Sequence, residues 1–268
     1  MVELLEQNLY ITDHKSAKGN QLKWECDGTW YKADYTGYEG LAEYVVSHLL
    51  EKSTLKAGDF VLYELETMKY KRTVYNGASS KDFIESGWQI ITLERLFKTK
   101  YNRNFYEAVW RIHDVNERFH FLCNQVEILT GLKDFDRYLN VLFTVDALFL
   151  NGDRHLHNIA VLMNAKNEFR YCPIFDNGAC LLSDTTMDYP LSADILELMS
   201  ECKAKTISSS FDEQLNVSEA AAGENITWKF TKQDVEELLD GATLYSPEIR
   251  ERVKTILFQQ IRKYGYLF

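Results

Sequence analysis

Asn151-Gly-Asp-Arg-His-Leu-His-Asn158, followed beyond an apolar hairpin by Pro173-Ile-Phe-Asp-Asn-Gly178, brackets one amide, Asn158, between two carboxylates, Asp153 and Asp176. Each acidic residue closes an apolar segment, which lets a rigid scaffold point it into a cleft. Ile159 to Met163 and Phe169 to Phe175 read as two short strands around the turn Asn164-Ala-Lys-Asn167. Asp153 can accept or orient the proton of a substrate hydroxyl. Asn158 and Asp176 can offer oxygen to Mg2+, a hard cation that prefers oxygen ligands. Taken singly, each half is also a plain polar turn. Together and in this order they are the parts that phosphoryl transfer from Mg-ATP requires.

Working outward, Asp114-Val-Asn-Glu117 has the form of a capping box, Phe119, Leu122, Val126 and Leu129 mark a buried stripe, and Gly131 ends that helix. Asp134 then caps a helix running to about Phe149. Toward the N-terminus, residues 8–35 read as β-rich, with Leu22 to Cys26 and Thr29 to Asp34 as a hairpin turned by Asp27-Gly28. Apolar residues at 38, 41, 42, 45, 46 and 49 give a helix over 38–50. Phe60 to Leu65 reads as a strand, and the turn-rich stretch 66–90 as a linker. Residues 179–225 read as long loops between helical pieces. Thr231 and Ser246-Pro247 start two more helices, the last with Ile249, Val253, Ile256, Leu257 and Ile261 on one face. The expected fold is α+β and two-lobed: a small β-rich N-lobe with one helix over residues 1–80, and a larger, mainly helical C-lobe over 81–268.

Bulk composition narrows the class. The 268 residues can bury a real core, and 46% hydrophobic and 26% charged residues are ordinary for a globular chain. A net charge of −10 argues against non-specific nucleic-acid binding. Five cysteines with no C-x-x-C pair give neither a disulfide framework nor a zinc site, and fit a reducing cytoplasm. The first residues lack the basic start and apolar core of a signal peptide. The most apolar run, Val141 to Leu150, is about half a bilayer span and carries Asp146, so no membrane helix is expected.

Other groups fall in place around the loop pair. Lys32, at the end of its strand, precedes a helix bearing Glu39 and Glu43, and a strand Lys paired with a helix Glu holds the α- and β-phosphates of ATP. The two glutamates are one helical turn apart, so periodicity does not choose between them. Ser16-Ala-Lys18-Gly19-Asn20 can form a backbone nest over phosphates, or a plain hairpin loop. His155 and His157 could bind a transition metal, which would point to a metal-dependent hydrolase, but no further cluster completes the ligand set; bracing Asp153 or Asp176 is the expected role. No Walker A, G-x-G-x-x-G or G-x-S-x-G motif is present.

The two loops resemble the catalytic and metal-binding loops of the HipA-like serine/threonine kinases, and are distantly similar to those of the phosphoinositide 3- and 4-kinases. Gly28 to Asp34 with Tyr38-Glu-Gly-Leu-Ala-Glu43, and Ser79-Ser-Lys-Asp-Phe-Ile84, resemble further segments of small HipA-like proteins. The resemblance implies a kinase with ATP and Mg2+ as cofactors, Asp153 as catalytic base, Asn158 and Asp176 on the metal, and Lys32 on ATP with Glu43 as its partner. It places Ser16, Lys18 and Gly19 over the phosphates, with Ser16 a candidate autophosphorylation site, and His155 beside the nucleotide. The implied partner is a protein substrate with a Ser or Thr hydroxyl. The chain is shorter than HipA and shows no counterpart of the N-terminal subdomain that helps contact the antitoxin, so an antitoxin-like partner is not expected. A lipid or small-molecule kinase and a pseudokinase are the alternatives on this scaffold.

Overall fold

The computed structural model describes residues 1–9 and 21–268. Ser16, Lys18 and Gly19 lie outside the described residues. Asp27 and Gly28 both take positive φ (50° and 71°), the backbone of a two-residue turn whose twist matches its strands. Among the described residues β1 (Val2–Leu4), β2 (Lys23–Cys26), β3 (Thr29–Ala33), β4 (Glu64–Tyr70) and β5 (Thr73–Lys81) form one sheet, in the order β1-β4-β5-β3-β2. A second sheet, in the order given, contains β6 (Trp88–Thr92), β7 (Ala160–Asn164) and β8 (Phe169–Tyr171).

Two sequence expectations change here. The stretch 66–90 is no linker: it holds most of the β4–β5 hairpin and then β6. Its Gly77, Ser79 and Ser80 look like turn residues but lie within β5. The reason is a close crossing: α1 (Glu39–Leu50) passes over β5 so tightly that a Cβ on Gly40 would lie 2.4 Å from the Gly77 carbonyl carbon. The expected strand at 60–65 starts only at Glu64. Residues 60–63 instead run beside Ile174, with Val61 N–H donating to Ile174 O at 2.9 Å.

The rest is helical: α2 (Leu93–Tyr101), α3 (Phe105–Trp110), α4 (Val115–Thr130), α5 (Phe135–Phe149), α6 (Ile195–Glu201), α7 (Phe211–Ala222), α8 (Lys232–Gly241) and α9 (Pro247–Lys263). Asp114, Thr231 and Ser246 cap their helices as read from sequence, and Gly131 ends α4 at φ 73°. Asp134 does not cap; it sits at φ 60° with no side-chain hydrogen bond to the first N–H groups of the helix. No helix of the described residues is long and apolar enough to cross a membrane.

The core explains how α1 is held. Leu41, Val45, Val46 and Leu49 are buried in the same cluster as Phe119, Phe143, Phe149 and Ile256 of the helical part. Each such side chain is worth about 1.5–3 kcal/mol of burial. Among the described residues the sheet has small clusters apart from this core, Leu4, Trp24, Ala33 and Met68 in one and Ala78 with Val61 and Tyr63 in another. Both ends of α1 are fastened as well. Tyr38 N–H donates to Ser183 O at 3.1 Å, and beyond the other end Lys229 N–H donates to Lys52 O at 2.7 Å while Lys52 pairs with Asp234. Asp34, between β3 and α1, accepts from Gly40 N–H (2.6 Å) and from the Tyr245 hydroxyl (2.8 Å), which ties the sheet to the lead-in of α9.

Two outcomes follow from these contacts. Gly40→Ala should cost about 1–3 kcal/mol in urea unfolding, because backbone must separate from backbone. Gly241→Ala at the end of α8, where a Cβ meets nothing within 4 Å, should be neutral or slightly stabilising; equal effects at both sites would refute the tight crossing. The second outcome concerns pH. Burial pushes the Asp34 carboxyl up to about 7 from its ordinary 3.8, reinforced by Glu39 and opposed by the Gly40 amide and the Tyr245 hydroxyl. Between those values the native chain keeps a proton that the unfolded chain has released. The contribution of this group is therefore full at the low end of that window and is lost as pH rises toward 7. Comparing wild type with Asp34→Asn by urea unfolding across the window should show an excess pH-dependence in the wild type on the order of 2 kcal/mol, discounted for partial exposure. Parallel profiles would remove Asp34 as the cause.

Candidate active site

Lys32 lies on β3, between β2 and β5, and its side chain is almost fully enclosed. Its ammonium donates to Glu43 Oε1 at 2.6 Å, to Asp176 Oδ1 at 2.8 Å and to the Tyr63 hydroxyl at 3.3 Å. Burial alone would lower its pKa. Asp176 and then Glu43 more than reverse this, so the charge is held well above its ordinary range. Glu43 is buried too, and its second oxygen accepts from the Asn177 N–H at 2.8 Å. Glu39 turns the other way: its carboxylate accepts from the N–H groups of Thr36 (2.7 Å) and Gly37 (3.1 Å) and closes the entry to α1.

Asp176 sits at φ 60°, a left-handed conformation that Asp tolerates and that aims its carboxylate back toward the sheet. Lys23, 3.9 Å away, and Lys32 hold that carboxyl far below the usual range against the effect of burial. Lys23 was not picked out from the sequence, yet the signal was present. The two-residue turn fixes the β2–β3 register, which sets Lys23 opposite Lys32 on one face.

The first loop leaves α5 at Leu150, φ 54°. Asp153 N–H donates to Asn151 Oδ1 at 3.1 Å. The Asn158 amide donates to the Asp153 backbone oxygen at 2.9 Å and to its Oδ2 at 3.3 Å, which closes the loop on itself. His155 Nε2 lies 3.8 Å from Asp153 Oδ1, and burial lowers its pKa, so the ring stays neutral near pH 7. The His155 and His157 rings stand 5.5 Å apart and nearly perpendicular, and among the described residues no group of three or more His, Cys, Asp or Glu could hold a metal ion.

Two further groups went unnoticed in the sequence because only the fold brings them in. Arg154 is buried, with Nε 3.1 Å from Asp146 Oδ1, and donates to Phe175 O at 3.0 Å, to Asn158 O at 3.3 Å and to Asn177 Oδ1 at 2.8 Å. One guanidinium thus joins α5 to both loops. Burial raises the Asp146 carboxyl to about 6, with Arg154 opposing. Lys205, from the segment after α6, lies 2.9 Å from Asp153 Oδ1. Beside the first sheet a cavity of about 440 Å3 opens among Tyr31, Val61, Ser80 and Phe83.

The structure therefore brings Lys32, Glu43 and Asp176 into direct contact, and Asp153 and Asn158 into another contact that Arg154 fastens to the Asp176 loop. Such an arrangement presents fixed ammonium groups for anionic oxygen, oxygen ligands for a hard cation, and a part-exposed carboxylate.

No family model matches the chain, and no curated protein sequence matches it. Solved structures do. The proinflammatory kinase CtkA of Helicobacter pylori is similar over 91% of this chain and 90% of its own, with a TM-score of 0.62 at 16% identity. HipA of Shewanella oneidensis MR-1, solved with HipB and operator DNA, is similar over 97% of this chain and 63% of its own, with a TM-score of 0.44 at 13% identity. By its likeness to CtkA the chain has a two-lobed, kinase-like α+β fold, a small sheet with one long helix set on a larger helical part.

Proposed function

We propose that this protein is an ATP- and Mg2+-dependent kinase of HipA-like type that transfers a γ-phosphoryl group to a serine or threonine hydroxyl of a protein. The observation that carries it is the Lys32 ammonium held between Glu43 and Asp176, from three separate parts of the chain. That ion pair and carboxylate are the assembled half of a phosphoryl-transfer site. Lys32 and Lys23 receive phosphate oxygens. The base enters the cavity beside the first sheet; along a strand rising roughly 3.3 Å per residue, Lys32 lies about 10 Å beyond Thr29, which lines that cavity.

The oxygen donors fit Mg2+. Asp176 and Asn158 offer one carboxylate and one amide, and Mg2+ is commonly held by one or two carboxylates together with substrate phosphates. When bound, the ion neutralises phosphate charge. Asp153 does the proton work: the acceptor hydroxyl gives its proton to this carboxylate while its oxygen bonds to the γ-phosphorus, the bond from that phosphorus to the β–γ bridging oxygen breaks, and ADP leaves with the electron pair.

A protein substrate is favoured over a lipid by charge. Residues 179–225 contain Lys203 and Lys205 as their only Lys or Arg residues, against nine Asp and Glu, a poor match to an anionic bilayer.

Incubation with Mg2+ and γ-labelled ATP should give label transfer in the wild type and none in Asp153→Ala or Asp176→Ala. Asp153→Asn should keep nucleotide affinity by calorimetry while losing about 10²–10⁴ in rate. Asp176→Asn should lose the metal-dependent part of that affinity. A wild type that neither binds Mg-ATP nor transfers label would sink the kinase reading.

A further inference from the structure

The first loop carries the carboxylate of the proposed reaction but no free cation of its own. Arg154 is enclosed and directs its donors to Asp146, Asn158, Phe175 and Asn177. His155 is kept neutral by burial. The positive charge on Asp153 comes instead from a segment fifty-two residues further along, where Lys205 reaches Oδ1 at 2.9 Å.

Exposed ion pairs usually contribute little, since two long side chains must be ordered in water. Lys205 differs because its backbone is fixed on both sides. Ala204 and Thr206 are buried, and Ala204 N–H donates to Ser209 O at 3.1 Å. The Thr206 hydroxyl donates to Arg154 O at 2.5 Å, which binds this segment directly to the first loop. One side-chain oxygen, Gln214 Oε1, accepts from the N–H groups of Thr206 (3.1 Å), Ile207 (2.8 Å) and Ser208 (3.2 Å). Trp110 Nε1 donates to Thr206 O at 3.1 Å, and Arg118 donates to Ile207 O at 2.8 Å. Only the lysine side chain itself remains to be ordered.

We infer that Lys205 is a positioning residue for phosphoryl transfer: its ammonium fixes the Asp153 carboxylate and sets a positive charge beside the acceptor oxygen. This rests on the kinase reading above. Lys205 makes and breaks no bond in the step already written. Its effect is geometric and electrostatic. An acceptor oxygen hydrogen-bonded to Asp153 lies within about 6 Å of the ammonium through Oδ1 and within about 8 Å through Oδ2. As its proton departs, that oxygen gains negative charge, which a preorganised cation stabilises more than it stabilises the neutral hydroxyl. Among the described residues the second carboxylate oxygen, Oδ2, accepts from the Asn158 amide at 3.3 Å, so the group is oriented on that side too.

The test compares wild type, Lys205→Met, Lys205→Arg, Asp153→Asn and the double variant Lys205→Met/Asp153→Asn. Transfer from Mg-ATP to water and to the protein itself is measured together with nucleotide affinity and thermal unfolding. Lys205→Met should lower kcat by roughly 10- to 100-fold, less than for a fully enclosed donor because the pair is part exposed, with KM for ATP and the unfolding midpoint unchanged. Lys205→Arg should recover most of the rate. In the Asp153→Asn background the methionine should add a smaller loss, since only the charge beside the acceptor oxygen then remains to be removed. Unchanged or raised kcat in Lys205→Met, or a loss that persists in full without Asp153, overturns the inference and leaves the kinase reading standing. A wild type without nucleotide binding and transfer removes both.

Discussion

Everything about the site's geometry depends on one buried ion pair, Arg154 with Asp146. Taking both charges out of water is expensive, and such pairs seldom add net stability over apolar residues of the same size. What the pair supplies is uniqueness of arrangement. A planar guanidinium has a rigid set of donors, and here they go to α5, to the end of the first loop and to the second loop. Shift any of the three and a buried donor loses its acceptor, at about 1–3 kcal/mol each. Asp153, Asn158 and Asp176 therefore share one reference point although they stand on different loops.

Strain is concentrated around the same place. Leu150, Asp176, Leu181 and Leu182 all take φ between 54° and 60°. For a non-glycine residue this costs roughly 1–2 kcal/mol. Burial and hydrogen bonding offset it: Leu181 and Leu182 are fully enclosed, Leu181 N–H donates to Phe149 O at 2.7 Å, and the Tyr38 hydroxyl donates to Leu181 O at 2.6 Å. The last contact matters beyond its energy, because Tyr38 leads into α1. The helix that carries Glu43 is thereby tied to the chain that follows Asp176, while its apolar face sits in the core of the helical part. The Lys32 contact with Glu43 and Asp176 is consequently assembled across a packed interface.

How much of this was legible in the sequence depended on whether the cause was local. Caps at Asp114, Thr231 and Ser246, the Asp27-Gly28 turn and the period of α1 are short-range effects, and all were readable. The β4–β5 hairpin was not, because small residues mean turn or close approach alike, and only the fold shows Gly77 lying under Gly40. Glu39 and Glu43 could not be separated by spacing; the structure separates them, since Glu39 is occupied by the N–H groups of Thr36 and Gly37. Lys23 could have been found by counting back from the turn. Asp146 and Lys205 could not, since nothing near either in sequence indicates which charge it will meet.

Charge balance then links the two lysines to what the site can take up. Lys23 and Lys32 face each other across β2 and β3, and like charges directly opposite on a sheet are destabilising. Glu43 and Asp176 relieve this: two ammonium groups meet two carboxylates, with Asp176 close to both lysines. An anion arriving alone at the lysines would face Asp176 across a short distance. A cation arriving alone at Asp176 would leave the lysines repelling each other. The two together would restore the balance, with the anion held by Lys23 and Lys32 and the cation by the Asp176 carboxylate. Under the proposed reading this coupling favours metal and triphosphate as a pair over either by itself. The same ammonium–carboxylate contacts that order the site are in this way the source of that preference.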